Sequence, residues 1–103
     1  MLCSYENGKR SKLSAGDVKR YTDRLTGQTT SNGTEIQEIS KHTFDRIAER
    51  RITLKRFENM MAKTPYVDKT FPERDIYPDR GAGLVIDRHT GEIITVMWGR
   101  KFV

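Results

Sequence analysis

Two histidines, an arginine and a threonine are the side chains in this sequence best suited to chemistry. His42 and Arg46 lie four apart in ISKHTFDRIAERRI, residues 39–52, a spacing that puts both on one side of a helix. An imidazole, with an ordinary pKa of about 6.5, moves a proton near neutral pH, and a guanidinium grips a phosphate in bidentate fashion. RNA cleavage asks for little more, because the ribose 2′-OH is the nucleophile. A base takes its proton, an acid protonates the leaving 5′-oxygen, and cations or hydroxyl donors meet the charge that builds on the phosphate. By spacing alone the pair fits a solvated helix face better than a site. His89, in RHTG, sits where a turn between strands also expects polar residues.

Other chemistries find little footing. His42 and His89 lack a ligand spacing such as His-Glu-x-x-His, and the single cysteine, Cys3, excludes an internal disulfide and a cysteine-based metal site. No metal and no cofactor is expected. No Gly-x-x-x-x-Gly-Lys-Ser/Thr phosphate loop occurs, and the serines fall in a linker, a loop and helix starts.

These residues need elements to hold them. The first twelve, MLCSYENGKRSK, read as a polar linker without the apolar run of a signal peptide, and the ordered domain is expected over 13–103. Ser14 and Asp17 fit a capping box; Val18, Tyr21 and Leu25 follow at helical spacing, and Gly27 closes a first helix near 15–26. QTTSNG, residues 28–33, reads as a loop, and Ile36 and Ile39 as an extended piece or a helical lead-in. Ser40 caps a second helix with Phe44, Ile47 and Ala48 buried. Thr53 caps a third with Leu54, Phe57 and Met61 inward, ending before Pro65. In the first turn of the second helix, His42 meets the positive end of the helix dipole, which favours a bound phosphate.

After Pro65 the pattern changes. Residues 66–71 alternate like a strand, PERDIYPDRGAG (72–83) reads as a charged loop, and 84–87 and 92–98 read as strands joined by RHTG, with Phe102 and Val103 extending the sheet. Strict alternation puts Ile94, Val96 and Trp98 on one face of the last strand and Ile93, Thr95 and Met97 on the other. If helices cover the first face, Thr95 points to the open one. Trp98, Tyr66 and Tyr77 can stack on bases, though a lone Trp in a small domain suits a core as well. The fold class expected is α+β, short N-terminal helices packed on an antiparallel sheet.

Composition sets limits. At 103 residues the chain makes one domain, and its 22 Leu, Ile, Val and Phe make the core small. Nineteen Lys and Arg against 14 Asp and Glu leave a net charge of +5, which favours a polyanionic partner. The surplus is in the first part: 12 basic and 8 acidic residues over 1–62, against 7 and 6 over 63–103. No apolar run is long enough to span a membrane.

SKHTFDRIAERRIT, a following helix, a proline, a basic loop and the closing GLVIDRHTGEIITVMWGRKF together resemble the C-terminal toxin domains of bacterial polymorphic and contact-dependent inhibition systems. The likeness is to those with the barnase, EndoU, colicin and RelE-like (BECR) fold, and it covers residues 36–103. It implies a metal-independent ribonuclease with helices on a curved antiparallel sheet and an RNA cleft on that sheet. Carried over, the helical His-x-x-x-Arg falls on His42 and Arg46 and the closing-strand hydroxyl on Thr95. Lys41, Arg74, Arg80 and Lys101 are candidate phosphate contacts, and His89 and Trp98 candidate RNA contacts. His89 has no sure counterpart, so the second proton-transfer group stays open. Arg51 stands where such sequences often carry glycine. The resemblance further implies a monomer that cuts tRNA or other structured RNA to a 2′,3′-cyclic phosphate. It would be secreted or delivered from the cell surface within a larger carrier, act in the cytoplasm of a neighbouring bacterium, and be neutralised by a cognate, acidic immunity protein. The alternatives are a non-catalytic basic RNA-binding module and a ribosome-dependent messenger-RNA interferase of the RelE type.

Overall fold

A hydroxyl starts each of the three helices. Ser14, Ser40 and Thr53 sit in extended backbone and accept the N–H three residues on, from Asp17, Thr43 and Arg56. The computed structural model describes residues 13–102; the expected linker, Cys3 and Val103 lie outside them. From these caps run α1 (Ala15–Leu25), α2 (Lys41–Arg50) and α3 (Leu54–Met61). At the first cap the Asp17 carboxylate accepts from Arg20, so the box expected there has its serine half. α2 ends on Arg51 in the left-handed conformation, where the N–H of both Arg51 and Ile52 return to the Ile47 carbonyl.

The strands are β1 (Glu38–Ile39), β2 (Tyr66–Val67), β3 (Arg74–Asp79), β4 (Ala82–Asp87) and β5 (Glu92–Trp98), followed by a single 3-10 turn, Arg100–Phe102. They form one open sheet in the order β1-β5-β4-β3-β2. All pairs are antiparallel except β1 with β5. Three helices on a mostly antiparallel sheet make this the expected α+β class.

The helices cover one face. Leu25 of α1, Ile47 of α2, and Phe57 and Met60 of α3 bury against Tyr77, Leu84, Ile86, Ile93 and Val96 of the sheet. The Tyr21 ring meets Phe57 edge-on at 6.2 Å, and its hydroxyl donates to the Ile52 carbonyl at 2.7 Å, tying α1 to the α2–α3 connection. Burial pushes the Tyr21 phenol above its ordinary pKa. No helix among the described residues is long and apolar enough to cross a membrane.

The stretch 72–83, expected as a charged loop, is largely strand. Its carboxylates find distant partners: Asp75 takes Arg88 and Asn32, while Asp79 is within 4 Å of Arg56, Lys63 and Arg80. Pro78 is tolerated for a geometric reason. Arg74 exchanges backbone hydrogen bonds on the β2 side of β3, through the Asp68 N–H and the Phe71 carbonyl. By alternation Pro78 turns its absent N–H the same way, and β2 pairing has ended at Ile76. Conversely, the expected alternation over 66–71 yields a strand of two residues.

Two further expectations are corrected at the end of the chain. Val85 pairs with Thr95 but Ile86 with Ile93, so Ile94 is an extra residue in β5. This bulge exchanges two residues between faces: Ile93, Val96 and Trp98 pack with the helical core, while Ile94 and Met97 join Ile76, Val85 and Phe102 on the other side. Thr95, opposite Val85, lies on the face away from the helices, as expected. Phe102 does not extend the sheet. The 3-10 turn folds its ring onto Gly83, where a Cβ would come within 2.6 Å of it.

Candidate functional site

The first turn of α2 is fastened to β5 by hydroxyls. Ser40 Oγ donates to the Ile94 carbonyl and Thr43 Oγ1 to the Ile93 carbonyl at 3.1 Å, and the Ser40 N–H reaches the same Ile93 oxygen at 3.0 Å. The turn that carries His42 is thus seated on the bulged part of β5, whereas the Thr95 side chain lies on the sheet face away from the helices. Ser40 does three things at once, since its oxygen also accepts the Thr43 N–H at 3.1 Å. Ser40→Ala is expected to destabilise the domain by about 1–2 kcal/mol, read from a denaturant midpoint, because a cap and a buried acceptor both lose their partner.

His42 is exposed, and Arg46, one turn on, is half-buried and ion-paired with Glu49. Arg50 follows one turn later. At successive intervals of four, the three side chains form a row along one flank of α2. Its direction is fixed at the far end, where the Arg50 guanidinium lies 4.8 Å from the centre of the Trp98 ring. Beyond Ile93 no strand covers that edge of β5. Lys41 is exposed and pairs with Asp45 at 3.8 Å.

The row leads into a cleft of about 280 Å³ lined by Arg50, Arg51, Ile52, Thr53, Arg56, Arg80 and Trp98. The helix turn brings the first four, α3 brings Arg56, the β3–β4 turn brings Arg80, and the end of β5 brings Trp98. Arg56 Nη2 donates to the Asp79 carbonyl at 2.8 Å and to that of Arg80 at 3.3 Å, which holds the β3–β4 turn in place. Arg56 Nε is 3.2 Å from Asp79 Oδ2, a charge contact without hydrogen-bond alignment. The Arg56 guanidinium is also 5.9 Å from the Trp98 ring centre. Trp98 is therefore engaged by arginines rather than free to stack on bases.

No protein-family model, no curated protein and no solved structure matches this chain.

The remaining sequence candidates fall elsewhere. Arg74 opens β3 on the same face as Thr95, its guanidinium 4.1 Å from the Phe71 ring centre, but two strands away from Thr95. Lys101 lies against the Phe102 ring at 5.2 Å. Tyr77 is buried in the core with its hydroxyl on Thr30 at 2.8 Å, and burial raises its pKa; Tyr66 is exposed. His89 is exposed in the β4–β5 turn, where its N–H and that of Thr90 bind the Asp87 carboxylate at 2.8 and 3.0 Å. Burial pushes the Asp87 carboxyl up, but these donors together outweigh it and hold the pKa below the usual value. The turn precedes β5 and Trp98 ends it, so His89 is separated from the cleft by about 20 Å of strand. It shares with the first turn of α2 the same end of β5.

The structure thus joins Arg80 and Trp98, and adds Arg50, Arg51 and Arg56, which were not among the candidate site residues read from the sequence. Arg50 was legible as the third member of the 42–46–50 spacing; Arg56 was hidden because its partners lie 23 and 24 residues away. No group of three or more potential metal-binding side chains comes together among the described residues.

Proposed function

We propose that this domain is a metal-independent ribonuclease acting on tRNA or another structured RNA. One observation carries the reading: the hydroxyls of Ser40 and Thr43 pin the His42 turn to β5 at the Ile94 and Ile93 carbonyls, with Arg46 next along the same flank. In this reading His42 accepts the 2′-OH proton as the 2′-oxygen bonds to phosphorus, Arg46 leaves Glu49 to grip the phosphate, and the P–O5′ bond breaks with the leaving 5′-oxygen taking its proton from solvent. The product is a 2′,3′-cyclic phosphate. The likeness of residues 36–103 to secreted bacterial toxin domains supports delivery into a competing cell and an acidic immunity partner for the +5 chain. The test is incubation with total RNA in EDTA, followed by sequencing of the RNA ends; a requirement for added metal, or intact RNA, rejects the proposal.

A second reading, a basic module that binds RNA without cutting it, is favoured by the ion pair that already occupies Arg46. Both readings predict salt-sensitive binding. A strand that follows the row from His42 to the cleft engages roughly three to four phosphates, so log Kobs should fall with log salt at a slope of about −2 to −3. Fluorescence anisotropy with a labelled, uncleavable oligonucleotide measures it, and a slope near zero removes both readings.

A further inference from the structure

Among the described residues, the two non-glycine residues with positive φ are both arginines, Arg51 (φ 54) and Arg80 (φ 47). Both line the same cleft. Arg51 ends α2 at a position where glycine is usual. Arg80 and Gly81 (φ 89) are the two central residues of the β3–β4 hairpin turn, and their paired positive φ suits Asn-Gly rather than Arg-Gly. Strain of this kind tends to collect at binding sites. Four arginines share about 280 Å³ with no acidic lining residue. Asp79 pairs with Arg56 and Arg80, whereas neither Arg50 nor Arg51 has an ion-pair partner among the described residues. The Trp98 indole N–H is buried and likewise finds no acceptor among them.

We infer that this cleft is a phosphate subsite for the RNA strand, holding a phosphate roughly three to four nucleotides from the one at His42. The spacing follows from α2: the eight residues from His42 to Arg50 rise ~12 Å, against about 3.4 Å per stacked nucleotide. Guanidinium groups from separate elements converge on the phosphate oxygens, and Trp98 holds Arg50 in place by cation–π contact. The subsite rests on the ribonuclease reading for the length of strand between the two phosphates, but not for the phosphate chemistry.

Trp98 is the sole tryptophan, so its fluorescence reports on this cleft. Adenosine, adenosine 5′-monophosphate, inorganic phosphate and an uncleavable deoxytetranucleotide phosphorylated at both ends are titrated in turn. The monophosphate and the tetranucleotide should change the emission saturably, the tetranucleotide at the lowest concentration, while adenosine leaves it unchanged. Arg51→Gly and Arg80→Asn replace strained arginines with residues that suit the backbone, so both variants should melt at or above the wild-type temperature and yet bind the tetranucleotide at least tenfold more weakly. An equal response to adenosine, an equal response to inorganic phosphate and tetranucleotide, or unchanged binding by both variants overturns the inference. Cleavage by the wild type without any Trp98 response rejects the subsite alone, and a Trp98 response without cleavage rejects the ribonuclease reading alone.

Discussion

Under the proposed ribonuclease function, replacing His42 with alanine is expected to lower the rate of RNA cleavage by about 10²–10⁴-fold, the range that a positioned proton-transfer group contributes, and to leave thermal unfolding where it was. The two halves of this result are separable because of where the side chain sits. His42 is exposed. The first turn is held by its neighbours instead, through Ser40 and Thr43 on the Ile93 and Ile94 carbonyls. Losing an exposed imidazole from such a turn changes stability by no more than about 0.5 kcal/mol. Activity and melting temperature measured on the same preparation therefore distinguish a reacting group from a surface one. Cleavage that survives the substitution unchanged rejects the proton-transfer role, and the exposed imidazole of His89, at the same end of β5, becomes the next group to replace.

The elements that hold His42 were legible because their signals are local. Ser14, Ser40 and Thr53 cap through N–H groups three residues ahead, and the apolar residues of each helix follow at helical spacing. β3 was not legible, because what makes it a strand is distant. Asp75 is neutralised by Arg88 and by Asn32, 43 residues away, and Asp79 by Arg56. Without those partners the run RDIYPD has the composition of a loop. The bulge at Ile94 hides for a similar reason: period-two reasoning assigns faces correctly only until a residue is added to one strand. At the site, the 42–46 spacing was visible in the sequence and Arg50 extends it, but the cleft exists only once the helix turn meets the β3–β4 turn and the end of β5.

A second large effect is expected at a glycine that is not itself a candidate RNA contact. Gly91 has φ +76, and a Cβ there would stand 2.3 Å from the backbone oxygen of Glu35 and 2.8 Å from Gln37 Cγ. The Gln37 N–H donates to the Gly91 carbonyl at 2.9 Å, so this close approach seats the segment that leads into β1 and the Ser40 cap. Gly91→Ala adds the penalty of a left-handed alanine to an overlap with backbone that has no rotamer by which to withdraw, about 2–4 kcal/mol together. For a domain of this size that lowers the melting temperature by roughly 10–25 °C. Gly81→Ala isolates the overlap: its φ is +89 but nothing lies within 4 Å of the added carbon, so it should cost only about 1 kcal/mol. Because residues 35–37 set where α2 begins, the protein that remains folded at Gly91→Ala should also cleave RNA more slowly, although Gly91 touches no candidate site residue. Equal melting temperatures for the two variants would mean that the β4–β5 turn does not fix the entry to α2, and that His42 is positioned by the Ser40 and Thr43 hydroxyls alone.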